Sequence, residues 1–244
     1  MSCDPQRLIE AHGRLRAQPG QIHVWAFDLS ASPHCLDFCG GQLSPGEQAR
    51  AQRFVRPSDR EEFTVAHGVV RCLLGRYCGV APTAVEFGSG AAKKPFVRKP
   101  ETKVSFNLSH SGGRALLAIG AGQEIGIDLE QLRPEVEALT IGQRYFFGPE
   151  FEDIASAPPK ARHERFFRYW VAKEAVLKAQ GVGLGFPLDR FYVRFDSAGD
   201  RGHVVTFDPE QLRDDWTVRM LPCKPGWFAA LAAQGDDWNV ILKS

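Results

Sequence analysis

Asp128, Glu130 and Glu174 are the residues of this 244-residue chain whose types and spacing point most directly to shared chemistry. Ile125, Ile127 and Leu129 alternate with Gly126, Asp128 and Glu130, a period-2 pattern that predicts a half-buried strand. Both carboxylates then project from one face roughly 7 Å apart, at ~3.4 Å per residue, leaving room for a cation between them. Glu174 falls in a segment, 161–180, that ends at Gly181 and places Phe167, Trp170, Val171, Glu174 and Lys178 on one helical stripe. A carboxylate on such an aromatic, otherwise buried face is neutralised, paired or put on a metal, because leaving it alone is costly. The plainer alternative is a local Glu174–Lys178 pair four residues apart, contributing only ~0.2–0.5 kcal/mol at a surface. Three hard oxygen ligands favour Mg²⁺, which keeps waters or substrate phosphates in its remaining positions. The expected chemistry is that of phosphates.

Basic groups are at hand for such a ligand. Lys173 and Lys178 share the Glu174 segment, while Lys93-Lys94-Pro95, Arg50 and Arg53 lie further off. Asn107-Leu108-Ser109-His110-Ser111-Gly112-Gly113 ends a predicted strand with amide, hydroxyl and imidazole donors suited to a phosphate; a plain polar turn explains it equally well. Neither Ser109 nor Ser111 sits in G-x-S-x-G, which disfavours a serine nucleophile. Arg50, Arg53, Arg56 and Arg60 are offset by Glu47, Asp59, Glu61 and Glu62. A solvated mixed-charge helix pair is the default there, with one or two arginines reaching a ligand as the alternative. His67, on an apolar helix face, is expected to be a satisfied core histidine rather than a ligand.

The elements that must position these residues follow from patterning. Ile22–Leu29 predicts a first strand and 33–42 a loop. Ser44-Pro45-Gly46-Glu47 and Ser58 with Glu61 predict capping-box helix starts. The second of these helices, carrying Phe63, Ala66, Val70, Leu73, Leu74 and Tyr77, should end near Gly79. Further strands are expected at 84–87, 104–109 and 114–119, and in the tail at 191–195, 204–207, 216–221, 227–231 and 238–242. Strands and helices mix without strict βαβ alternation, which predicts an α+β fold. A seam at Gly120–Gln123 divides it into halves 1–122 and 123–244.

With 43% hydrophobic residues the chain can bury a sizeable core. Its formal net charge of +1 disfavours a nucleic-acid binder, which must neutralise phosphates in number. None of the six cysteines forms C-x-x-C or has histidine at zinc spacing, and Cys35 with Cys39 is the nearest to a ligand pair. Reduced thiols, no apolar leader and no membrane-length apolar run together predict a cytoplasmic protein that does not enter a membrane.

The order of motifs is informative in itself. Lys93-Lys94-Pro95 precedes Phe106-Asn107-Leu108-Ser109-His110-Ser111, then Gly126-Ile127-Asp128-Leu129-Glu130, then the run from Trp170-Val171-Ala172-Lys173-Glu174 through Lys178 and Gly181 to Leu184. This order resembles the 4′-phosphopantetheinyl transferases of the surfactin-synthetase type, over roughly Ser44 to Phe195, with the last two motifs the most specific. The resemblance implies two similar α+β halves related by a pseudo-twofold in a monomer. It also implies transfer of the phosphopantetheine arm of coenzyme A to a serine of an apo acyl or peptidyl carrier protein, with release of adenosine 3′,5′-bisphosphate. It assigns Asp128, Glu130 and Glu174 as Mg²⁺ ligands and Lys178 to the pyrophosphate. Lys94, His110 and Arg50 fall at positions for the 3′-phosphate and adenine end. From their own donors and charge, Asn107, Ser109 and Lys173 are expected as further cofactor contacts. Glu150, after Tyr145-Phe146-Phe147, matches an acidic position near the carrier serine.

One departure is Glu62, where many relatives have arginine; Arg60 or Arg53 would have to substitute, or coenzyme A would bind less tightly. Glu174 is expected to take the serine proton, directly or through a water. The competing readings are a Mg²⁺-dependent nuclease or phosphohydrolase using the same carboxylates, and a non-catalytic carrier-protein-binding or nucleotide-binding paralogue.

Overall fold

The computed structural model describes residues 3–90, 93–183 and 185–243. Leu184, the last residue of the Glu174 motif, lies outside the described residues. The architecture is α+β, and its two halves follow the same path. In the first, β1 (Gln21–Asp28) leads through α2 (Pro33–Gln42), α3 (Pro45–Ala51), α4 (Pro57–Cys78), β2 (Glu86–Ser89) and β3 (Pro95–Lys99) to the hairpin β4 (Val104–Ser111) and β5 (Arg114–Ala121). A short α1 (Pro5–Glu10) precedes it. In the second, β6 (Ile125–Gln131) leads through α5 (Ala138–Tyr145), α6 (Gly148–Ser156), α7 (Arg162–Gln180), β7 (Phe191–Phe195) and β8 (Arg201–Thr206) to the hairpin β9 (Trp216–Met220) and β10 (Trp227–Gln234). In each half the last strand returns antiparallel to the first, β5 on β1 and β10 on β6.

Each half also owns one long helix, and both helices end on a left-handed glycine, Gly79 (φ 72°) and Gly181 (φ 73°). Only glycine takes that conformation without steric cost, so the two stops are written in the sequence. Helix α4 buries Val69 and Leu73 against Phe27 and Leu117 of the first sheet. Helix α7 buries Val171 and Ala175 against Val218 and Ala230 of the second. The opposite faces of the two sheets meet each other through Ile22, Val24 and Leu116 on one side and Ile127, Leu129 and Leu231 on the other.

Strands β4 and β6 are edges of their respective sheets. They are joined by side chains: Ile127 N donates to Asn107 Oδ1 (2.8 Å), Leu129 N to Ser109 Oγ (3.2 Å) and Gln131 N to Ser111 Oγ (3.3 Å). Buried edge N–H groups need acceptors, and alternate polar side chains of β4 provide them. The tail completes both sheets, since β8 to β10 extend the second and β11 (Asn239–Lys243) pairs parallel with β1 of the first.

Several expectations are corrected. Residues 33–42 form a helix: Ser32 caps it through Cys35 N and Pro33 occupies its first turn. Its Cys35 and Cys39, four apart, are fully buried against α4, where Gly68 leaves space for Cys39. Cys35 and Cys39 are therefore core residues and not a ligand pair. Helix α4 starts at Pro57, before Ser58, and no side chain caps it. Strand β3 carries no period-2 apolar signal because only Val97 is buried in it.

Candidate active site between strands β4 and β6 and helix α7

The pleat of β6 sends Ile125, Ile127 and Leu129 into the core between the sheets and turns Gly126, Asp128 and Glu130 to the other face. Helix α7 lies so close to that face that a side chain at Gly126 would run into the backbone of Ala175 and Ala179. The glycine thereby brings Glu174 and Lys178 to the two strand carboxylates. Lys178 Nζ reaches Asp128 Oδ1 at 2.6 Å and Ser109 Oγ at 3.0 Å. Ser109 in turn donates to Asp128 Oδ1 (3.0 Å) while accepting from Leu129 N. One hydroxyl thus uses its single donor and both acceptor sites. One step along, Ser111 Oγ donates to Glu130 Oε2 (2.9 Å), with Arg133 at 3.4 Å from the same oxygen.

Asp128 is 3% exposed and Glu174 7%. Among the described residues, Asp128 Oδ2 and Glu174 Oε1 are buried without a hydrogen-bond partner, an arrangement that is costly for carboxylates. Burial, followed by repulsion from Asp128 and Glu130, pushes the Glu174 carboxyl up to about 7 against the opposing pull of Lys178. Burial also raises Glu130. Among the described residues, no three His, Cys, Asp or Glu side chains form a ready-made metal cluster. Lys178 and Ser109 engage one oxygen of Asp128, and Ser111 and Arg133 engage one of Glu130. The two orphaned oxygens, both hard donors beside a third carboxylate, nevertheless fit a small divalent cation such as Mg²⁺.

Other predicted residues are placed as follows. Lys173 is corrected as a cofactor contact: it is 0% exposed and donates to Glu150 Oε2 (2.6 Å) and Phe191 O (2.6 Å). Glu150, also buried, accepts from Val193 N and Phe147 N as well. It ties α6, α7 and β7 together, which overturns its expected place beside an incoming serine. Lys94 Nζ is taken up by the carbonyls of Ile125 (3.0 Å) and Ala179 (2.5 Å), linking the start of β6 to the last turn of α7; burial lowers it to about 8. Asn107 is buried in the β4–β6 joint.

On the α4 side, Arg50 lies 5.1 Å from the Phe63 ring centroid, and Phe63 stacks on His67 at 4.0 Å. His67 is bound to Glu47 (3.1 Å) and Arg71 Nε reaches the same carboxylate (2.7 Å), so His67 is the satisfied histidine expected. Desolvation lowers His110 and Glu62 opposes that shift, so the acid found at the departure position bears electrostatically on His110. Ser111 was missed as a site residue, although the period-2 series Asn107, Ser109, Ser111 was its signal. Nothing in sequence spacing announces that Glu47 serves both His67 and Arg71.

Comparison with known proteins gives the geometry a context. Residues 124–232 match the family described as the 4′-phosphopantetheinyl transferase superfamily, and residues 30–121 match the 4′-phosphopantetheinyl transferase N-terminal family. The chain is 40% identical over 223 residues to 4′-phosphopantetheinyl transferase HetI of Nostoc sp., covering 90% of each. It is 30% identical over 213 residues to the human L-aminoadipate-semialdehyde dehydrogenase-phosphopantetheinyl transferase, covering 80% of this chain and 68% of that one. Identity to 4′-phosphopantetheinyl transferase Sfp of Bacillus subtilis is 27% over 197 residues, covering 80% and 84%; the surfactin-synthetase type is a distant match. With both halves matched, and identity sustained along nine tenths of the Nostoc sequence, the chain belongs to the 4′-phosphopantetheinyl transferase family.

Proposed function

We propose that this chain transfers the 4′-phosphopantetheine arm of coenzyme A to a serine hydroxyl of an apo acyl or peptidyl carrier protein and releases adenosine 3′,5′-bisphosphate. The observation that carries the reading is the pair of orphaned buried oxygens on Asp128 and Glu174 beside the Lys178 ammonium. Asp128, Glu130 and Glu174 would hold Mg²⁺, which when bound supplies positive charge to the pyrophosphate oxygens. Lys178 adds its own charge to those oxygens, on which negative charge grows as the phosphorus–oxygen bond to the bisphosphate breaks. Glu174 takes the proton of the attacking serine, directly or through a water. Arg50 and His110 are proposed to meet the nucleotide end, with Ser109 and Asn107 holding the strands that frame it.

A surfactin-synthetase-type enzyme is proposed because both halves, divided as 1–122 and 123–244, occur in one chain. We further propose a cytoplasmic monomer. Among the described residues no helix is long and apolar enough to cross a membrane. The test is mass spectrometry of apo acyl and peptidyl carrier proteins incubated with the chain, coenzyme A and Mg²⁺. The expected result is a gain of one phosphopantetheine arm on serine, lost with Glu174→Gln while calorimetric coenzyme A binding persists. No gain on any carrier overturns the proposal, and turnover retained by Glu174→Gln overturns the base assignment.

A further inference from the structure

The face of β6 opposite the carboxylates borders a cavity of about 310 Å³ at one end of the core between the sheets. Leu129, flanked in sequence by Asp128 and Glu130, is part of its wall, with Val24 of β1, Leu116 of β5 and Trp227 of β10. A dry cavity of ~150 Å³ suffices to hold benzene, and small-molecule sites begin at ~300 Å³. The space is therefore large enough for an apolar ligand. Its charged lining residues are all cationic: Arg114, Lys224 and Lys243, with no acid among the lining. Arg114 is held in place, its guanidinium 4.8 Å from the Trp227 ring centroid and its Nε 3.4 Å from Asp28. Lys224 and Lys243 form no ion pair among the described residues.

We propose that this cavity binds a fatty carboxylate of medium length. Its chain lies against Leu116, Leu129 and Trp227, and its head group is received by Lys224 and Lys243. An apolar interior with cations alone among its charged lining residues favours an anion-headed chain over a neutral one, because a carboxylate head offsets the lysine charges and accepts their hydrogen bonds while a hydroxyl head leaves the charges uncompensated. The site stands apart from the proposed transfer site, on the other face of β6, and does not depend on it.

The test is calorimetric titration of the full chain with octanoate and with 1-octanol. Octanoate is expected to saturate one site and to bind at least about tenfold more tightly than the alcohol. Surface ion pairs set the scale for these two exposed and half-exposed lysines, so Lys224→Glu combined with Lys243→Glu should weaken octanoate by about 2- to 30-fold. Ala26→Leu, placed on the cavity wall, should abolish binding in protein shown to be folded by circular dichroism. Absence of saturable octanoate binding overturns the proposal. So does equal affinity for the alcohol, or unchanged affinity in the double lysine variant once circular dichroism shows it folded.

Discussion

Lys178 Nζ stands 2.6 Å from Asp128 Oδ1, joining helix α7 to strand β6 across 50 residues of sequence. Four residues from Glu174 on the same helix, this lysine meets a strand carboxylate and a β4 hydroxyl; the structure gives it no hydrogen bond to Glu174. The local pair that sequence spacing allowed is replaced by a tertiary one.

Lys178→Ala removes that cation from Asp128 and from the proposed pyrophosphate position. Loss of one preorganised charge-stabilising donor typically costs about 10²–10³ in rate. A fall of that size in kcat/KM for coenzyme A is expected in initial-rate assays of carrier modification. An unchanged value removes Lys178 from the mechanism.

Asn107 and Ser109 are expected to matter for folding as well as for the site. Asn107→Ala leaves Ile127 N–H buried without an acceptor, and Ser109→Ala does the same to Leu129 while releasing Asp128. Each should cost about 1–3 kcal/mol in urea unfolding. Ser105→Ala is the contrast, since Ser105 Oγ is buried with no partner to lose; an equal loss there would refute the joint as the cause.

The Lys173–Glu150 pair separates a core ion pair from a ligand contact. Lys173→Met strands a buried carboxylate, for which about 3–5 kcal/mol of lost stability is typical. Coenzyme A affinity of the remaining folded protein should stay at the wild-type value. Intact stability with weakened coenzyme A binding would return Lys173 to the cofactor.

Glu47 makes acid stability specific. Burial would raise its carboxyl, but hydrogen bonds from His67, from the Ser44 backbone and hydroxyl, and from Arg71 outweigh it and hold the group at about 2. Between its ordinary value of 4.5 and about 2, the unfolded chain binds a proton that the native chain does not. Stability therefore rises with pH in that window, by about 1.4 kcal/mol per unit from this group, and is lost on acidification through it. Glu47→Gln should flatten the slope of unfolding free energy between pH 4.5 and 3. A slope identical to wild type contradicts the assignment.

Much of this was legible along the chain because it depends on near neighbours. Alternation placed Asp128 and Glu130 on one face of a strand, and helical spacing put Glu174 and Lys178 on one stripe. Gly79 and Gly181 marked both long-helix ends. Misreadings arose where a local rule had competitors. Ser58 reads as a cap, yet Pro57 begins the helix one residue earlier; 33–42 reads as a loop, although it is a helix that Ser32 caps, Pro33 opens and the buried Cys35 and Cys39 anchor.

By itself, the sequence determined the α+β mix of elements, the carboxylate-bearing strand face and the helical stripe of Glu174 and Lys178, since each rests on backbone periods of two or 3.6. Only the tertiary structure decided which ammonium serves which carboxylate. Lys173 and Lys178 sit five apart on one helix, but rotation about its axis sends the first into the core with Glu150 and the second to Asp128. Charge pairing in a protein acts over a few ångströms of space, and sequence distance does not report it.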